Sequence, residues 1–450
     1  MKKLLIVVPV LLLVVGLALG FLLSATPSIT LARPVRSIGN ETPISLKAES
    51  PHGVRRVVAE VEQNGARHKV FERSNETRRG FLFRSKEPAA QIDFTAGKKQ
   101  AQQLKDGPAQ LIIQVVSNDF AGKSATLRTP VQVNTQPPGV SADGAQHYIN
   151  QGGSELVTFN VSGYWTEAGV RVGKYTFRSF PMPGLTDPNA SERFSIFAFP
   201  WDVPADTVPI VYARNDTGAE ATARFWYKVF PKTFRARELP LDDSFLQKVT
   251  SELDPSGSGD LVQRFLKING EMRRENNKTL SDMRLKSEPR ILWSGPFFRI
   301  GQVESFFADQ RSYLYKGKKI DQQMHLGFDL SDVQASPVKS ANSGRVIHTG
   351  PLGIYGQCIV VDHGYGLQSI YGHLRQIDVK PGEMVAKEQV MGRSGATGLA
   401  GGDHIHFSLQ VDGVQVNPLE WWDEHWIQDR ILSKLPKQGA TETKSASAKQ

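Results

Sequence analysis

The chain is 450 residues long, with 40% hydrophobic and 22% charged residues, a globular balance that excludes global disorder and leaves material for about three domains. Its formal charge of +9 and isoelectric point near 9.4 favour contact with anionic surfaces such as nucleic acid, lipid headgroups or an acidic cell-wall polymer. No basic run interleaved with aromatics and no DNA-reading motif accompanies that charge, so no nucleic-acid partner is expected.

The N-terminus, "MKKLLIVVPVLLLVVGLALGFLLSA", sets two lysines before an uncharged apolar run from Leu4 to Leu23. That length suits a transmembrane helix, and Lys2 and Lys3 would hold its start in the cytoplasm. Residues 1–24 are therefore expected to be a retained single-pass signal anchor that places the rest in the periplasm or another extracytoplasmic space. A cleaved signal peptide is the alternative, since "SATPS" offers small residues. Cys358 is the sole cysteine, so no intrachain disulfide forms. Its setting, "GQCIVVDHG", reads as a buried strand in which it serves as a small hydrophobe.

Residues 35–135 alternate β-formers between Gly, Asn, Asp and Pro, as in "VRRVVAEVEQNG" and "AQLIIQVVSND", and read as an immunoglobulin-like β-sandwich. After "NTQPPGV", a second set of strands over 145–235 reads as another sandwich module. Residues 241–285 change to helical spacing with mixed charge, broken by "DPSGSG", and read as a short helical linker. Strands with glycine turns return over 291–426, and the polar tail 433–450 is expected to be disordered. The fold class expected is thus mainly β, ending in a β domain.

Seven of the ten histidines fall from His325 onward. "MHLGFDL" sets His325 and Asp329 around Gly327, an imidazole and a carboxylate able to converge on one cation if the glycine lets the strand bend. "GGDHIHFSLQVDG" places His404 and His406 on one face of a strand, with Ile405 and Phe407 on the other. One of this pair with His325 and Asp329 makes two nitrogens and one oxygen, a set that suits tetrahedral Zn2+ with the fourth position left to water. "GLQSIYGHLRQI" adds His373, which beside such a site could take or give a proton. His348, His363 and His425 have no partner at ligand spacing. "GRSGATGLAGG" lacks the lysine and helix of a phosphate loop and reads as a groove-lining turn. Trp421, Trp422 and Trp426 read as packing at a domain edge.

The segments "HLGFD", "SPVKSANSGRVIHTG", "GQCIVVDHGYGLQSIYGHL", "VKPGEMVAKEQVMGRSGATG" and "HIHFSL" occur in the order of the lysostaphin-type (LytM-like) zinc metallopeptidases, and the C-terminal region resembles that family over most of 320–410. The resemblance implies a peptidase that cuts peptide cross-bridges or stems of peptidoglycan on a compact antiparallel-β fold. It implies that His325, Asp329 and His406 bind Zn2+ and that His373 and His404 form the catalytic pair. Two departures, Asp403 where the family often has a small residue or proline and Ser408 where an acidic residue is common, bear on substrate preference and groove charge.

The expected function is a membrane-anchored zinc endopeptidase acting on peptidoglycan in cell-wall remodelling, with the β modules available to envelope or division proteins. The rivals are a non-catalytic envelope scaffold or activator of other wall hydrolases, and a zinc peptidase acting on proteins.

Overall fold

The structure, a computed structural model, describes residues 2–77 and 86–436 and is mainly β. The described residues pack into two compact units: 2–77 and 86–139 with 162–167 and 213–221, and 140–161 with 168–212 and 222–436.

In the first unit a three-stranded sheet (Ser28–Leu31, Thr42–Glu49, Ala90–Ala96) and a five-stranded sheet (Ser37–Ile38, Ser124–Val133, Gly107–Ser117, Val54–Gln63, Ala66–Ser74) share one core. The alternation seen in the sequence accounts for it. Val57, Ala59 and Val61 point inward beside Leu111, Ile113 and Val115, all at most 1% exposed, while charged neighbours face water. The hairpin between the last two strands turns on Asn64 and Gly65, with φ of 53° and 79°, the left-handed pair that a two-residue turn requires. These strand orders do not by themselves confirm an immunoglobulin-like topology.

Helix α1 occupies Lys2–Leu23, yet among the described residues no helix is long and apolar enough to cross a membrane. The expected membrane span is therefore not supported. The end of α1 is committed to protein: the Phe21 ring meets Phe120 edge-on at 5.7 Å, Ser24 Oγ donates to Gly20 O at 2.8 Å, and Ala25 N donates to Asp119 at 3.0 Å.

The second unit opens with strands including Ser154–Ser162 and Glu192–Ala198, paired antiparallel. Its helices follow. Asp242 caps α2 (Asp243–Leu253) by accepting from Phe245 N, and Asp260 caps α3 (Leu261–Lys267) by accepting from Gln263 N, each satisfying an otherwise unpaired first-turn amide. A π-helical turn, Ile268–Met272, joins α3 to α4 (Arg273–Asp282). The segment read as a linker lays its apolar stripe on the C-terminal β region: Leu246, Val249, Phe265, Ile268 and Leu280 share a core with Tyr313, Cys358, Val360 and Ile370. Cys358 is buried among them, and burial pushes its thiol up to about 12, as the packing role expected of it requires.

That β region holds an eight-stranded sheet, ordered Gln302–Ser305, Phe328–Ser331, Ile405–Val411, Leu367–Leu374, Gln357–Gly364, Gly344–Pro351, Met384–Val385, with Val414–Val416 pairing beside Ile405–Val411. A smaller sheet sets Ala236–Leu241 parallel to Asp309–Tyr315, which pairs antiparallel with Lys318–His325. The chain then passes from the smaller sheet to the larger through Leu326 and Gly327.

The C-terminal segment is held by the second β module. Trp421 Nε1 donates to Ser154 Oγ at 3.0 Å, and Ser154 N donates to Glu420 at 2.7 Å. Trp421 is fully buried and packs edge-on to Trp293 and Trp426, as the packing reading expected. Helix α5 (Glu424–Arg430) leads to Leu432–Lys434. There Lys434 Nζ donates to Glu155 Oε1 at 2.7 Å and Leu156 O at 2.8 Å. The expectation of disorder from 433 is thus corrected for 433–436, because the wholly buried Glu155 carboxylate needs a counter-ion; 437–450 lie outside the described residues.

The shared core makes the helices part of the fold. Phe265→Ala removes a ring with 0% exposure and is expected to destabilise the protein by about 3–5 kcal/mol, read from denaturant unfolding. A loss under 1 kcal/mol would mean that the helices only rest on the sheet.

Candidate metal centre and groove

Register in the large sheet brings the site together. Asp329 lies opposite His406, which lies opposite Gly372 on its other side, next to His373 at the end of its strand. His325 ends the smaller sheet's hairpin. The turn that carries it across passes so close to His406 that a Cβ on Gly327 would stand 2.5 Å from Ser408 Oγ and 2.7 Å from His406 Cε1. Only glycine fits there; its role is close approach, where the sequence suggested a bend.

His325, Asp329 and His406 each turn one donor atom to a common point, with all three atoms within 4.8 Å of one another. His325 Nε2 is 3.0 Å from Asp329 Oδ1 and 3.0 Å from His406 Nδ1, and His406 Nδ1 is 3.3 Å from Asp329 Oδ1. Outer partners fix the ring tautomers. His325 Nδ1 is 3.0 Å from Phe306 O, which can only accept, so the proton is there and Nε2 keeps its lone pair. Ser408 Oγ donates to Leu326 O at 2.7 Å and therefore accepts from His406 Nε2 at 2.9 Å, leaving the Nδ1 lone pair inward.

Burial lowers the pKa of His325 and takes His406 down to about 4, so both rings are neutral near pH 7. Burial acts to raise the Asp329 carboxyl, but His325, His404 and His406 outweigh it and hold the carboxyl well below its usual value. Two lone pairs and a carboxylate thus face one another with no proton between them. That donor set fits a divalent cation. Arg311 donates to the outer oxygen, Asp329 Oδ2, leaving Oδ1 for the centre.

His404 and His373 flank it, their rings 4.8 Å apart. His404 Nδ1 donates to Gly402 O at 2.9 Å, and Nε2 lies 3.5 Å from Asp329 Oδ1. Burial pulls the pKa of His404 down, but the Asp329 carboxylate more than offsets it, so the net shift is upward. His373 Nδ1 donates to Thr397 O at 2.8 Å; burial first, then the neighbouring imidazoles, hold His373 well below the usual value. Its φ of 66°, rare for a residue with a Cβ, turns the ring off the strand toward the centre. Both histidines open onto a groove of about 860 Å³, also lined by Arg237, Arg311, Tyr313 and Leu399. Ala396, Leu399, Ala400 and Gly401 of the glycine-rich segment line it too, as expected of a groove-lining turn.

All five histidine and aspartate positions singled out from the sequence therefore meet in one place. His363 stands apart, its Nδ1 donating to Ser343 O at 2.8 Å, and His348 and His425 are not in the cluster. Sequence reading missed Arg311, which no motif marks, and the role of Ser408, which its position two residues after His406 on one strand face could have signalled.

Residues 323–418 match the model of peptidase family M23. The DD-carboxypeptidase/endopeptidase Mpg of Neisseria meningitidis is 31% identical over 97 residues, 22% of this chain and 22% of that protein. The peptidoglycan DD-endopeptidase ShyA of Vibrio cholerae is 35% identical over 96 residues, 21% of this chain and 22% of that protein. The chain thus matches under a quarter of the length of either relative. A solved structure described as a putative peptidase M23 from Pseudomonas aeruginosa is 20% identical, covering 60% of this chain and 93% of that one with a TM-score of 0.36.

Buried neutral imidazoles make the fold acid-sensitive, and His363, which is away from the cluster, isolates the effect. Burial pushes it down to about 4, so the folded form resists a proton that the unfolded chain takes up below about 6.5. Its contribution is intact above that value and is lost as pH falls toward 4, by about 3 kcal/mol. The unfolding free energy of the unaltered protein minus that of His363→Gln should fall by this amount between pH 6.5 and pH 4. A difference that is flat with pH would show that His363 is not buried neutral.

Proposed function

We propose that this chain, which carries a peptidase family M23 domain at residues 323–418, is a zinc endopeptidase that hydrolyses peptide bonds in peptidoglycan. The observation that carries the reading is the convergence of His325, Asp329 and His406 beside two further histidines at the floor of an open groove. The curated relative named as a peptidoglycan DD-endopeptidase supports the substrate class, and the one named as a DD-carboxypeptidase/endopeptidase supports the reaction. That substrate places the enzyme's work outside the cytoplasm.

His325 Nε2, Asp329 Oδ1 and His406 Nδ1 would hold the zinc. When bound, zinc polarises the scissile carbonyl and makes water nucleophilic near neutral pH. The protein's own groups manage the protons. His373 has its Nδ1–H held by Thr397 O, so its Nε2 lone pair is free to accept the proton that the attacking water releases. His404, whose Nδ1–H is anchored by Gly402 O and whose pKa the Asp329 carboxylate raises, in its protonated form offers an Nε2–H to the oxygen that gains charge as the carbonyl becomes tetrahedral. As the C–N bond breaks, the proton held by His373 passes to the departing amine, leaving an acid and an amine.

His406→Ala removes one of three protein ligands, so zinc content should collapse together with activity. His404→Ala keeps all three, so zinc should stay near stoichiometric while turnover falls about 10²-fold or more. Zinc analysis and mass analysis of muropeptides released from purified peptidoglycan check both on the same folded preparations. Loss of zinc from His404→Ala with retention in His406→Ala would reverse the assignment. No release of peptides by the unaltered, zinc-loaded protein would favour a non-catalytic envelope scaffold.

A further inference from the structure

The glycine-rich segment 395–402 contains Gly395, Gly398, Gly401 and Gly402, a composition with little conformational preference of its own. It nevertheless supplies Thr397 O, the acceptor that orients His373. Thr397 is itself pinned by its side chain: Oγ1 donates to Leu374 O at 2.8 Å and accepts from Gln357 N at 2.9 Å. The backbone on both sides of Thr397 is held from outside the family-matched residues, by α2. Lys248 Nζ donates to Ala396 O at 2.5 Å, Gly398 O at 3.1 Å and Ala400 O at 3.0 Å, using all three of the ammonium's donors. One turn along α2, Glu252 Oε1 accepts from Gly398 N at 2.5 Å. The two side chains lie 3.6 Å apart, so the cation that collects carbonyls and the anion that takes the amide also support each other.

We infer that Lys248 is a positioning residue for His373: by gathering the carbonyls of residues 396, 398 and 400 it fixes Thr397 O, and through it the direction of the His373 imidazole. The inference rests on the proton-accepting role proposed for His373. It gives the segment read as a linker a role at the site, exerted through the loop and not by contact with the metal ligands. Lys248 itself touches neither metal ligands nor reacting atoms. Its removal should free the loop and let the ring turn away, and a misdirected group about 1 Å out of place can cost up to about 10²-fold in rate.

The test compares the full chain with Lys248→Met, His373→Ala and the double variant, each loaded with zinc. Lys248→Gln, which keeps two donors on a shorter arm, is a second variant should the first fail to fold. Lys248→Met should lower kcat by about 10-fold or more with KM within about 2-fold, and zinc content should be unchanged. In the His373→Ala background the same substitution should cost less than about 2-fold, because residues acting as one unit do not add. Independently of activity, hydrogen exchange of residues 395–402 should be faster in Lys248→Met. Unchanged kcat, an equal loss in both backgrounds, or unchanged exchange would each overturn the inference. If the unaltered enzyme releases no peptide from peptidoglycan, the proposed function fails, while the exchange measurement still decides whether Lys248 holds the loop.

Discussion

The site depends on one close approach. At Gly327 the chain leaves the smaller sheet and enters the larger one, passing against the face of His406 with no room for a Cβ. That crossing lets an imidazole at the end of one sheet and a carboxylate at the start of another share a centre with an imidazole on a third strand. Pairing of Phe328–Ser331 with Ile405–Val411 then fixes the register of Asp329 against His406. A slip of one residue would turn Asp329 to the other face.

Around that crossing the protein sets the state of each polar group through its neighbours. Phe306 O and Ser408 Oγ choose the tautomers of the two inner imidazoles, and Arg311 occupies the spare oxygen of the carboxylate. Thr397 O and Gly402 O do the same for the outer pair. They make the arrangement specific by leaving each ring only one way to face.

The sequence carried the inner site well because its spacing maps directly onto backbone geometry: two residues along a strand is one face, and HxGxD brackets a crossing. It carried the supports poorly. Arg311 comes from a strand with no motif, and Lys248 reaches the loop from about 150 positions away in the chain, a contact that only tertiary folding creates. The same limit explains the helices. Their spacing identified them as amphipathic, but which surface would cover their apolar stripe, the one that Tyr313, Cys358, Val360 and Ile370 present, was not written locally. The N-terminal apolar run was read by composition alone, whereas the docking of Phe21 and Ser24 on protein groups depends on partners near residue 120. The tail from 433 looked disordered by composition, and a single buried carboxylate, Glu155, ordered its first residues.

The ion pair of Lys434 with Glu155 bears on how the second unit comes apart. Glu155 sits on an early strand of the unit, and Lys434, beyond the last strand of the eight-stranded sheet in the chain, closes on it. Releasing the lysine would leave the carboxylate buried without its ion pair, and pulling out the strand would orphan the ammonium in turn. Neither the strand that carries Glu155 nor the turn that carries Lys434 can fray first without stranding the other's charge. The pair thus acts as a clasp between segments far apart in the chain, and the strand and the C-terminal segment loosen together or not at all.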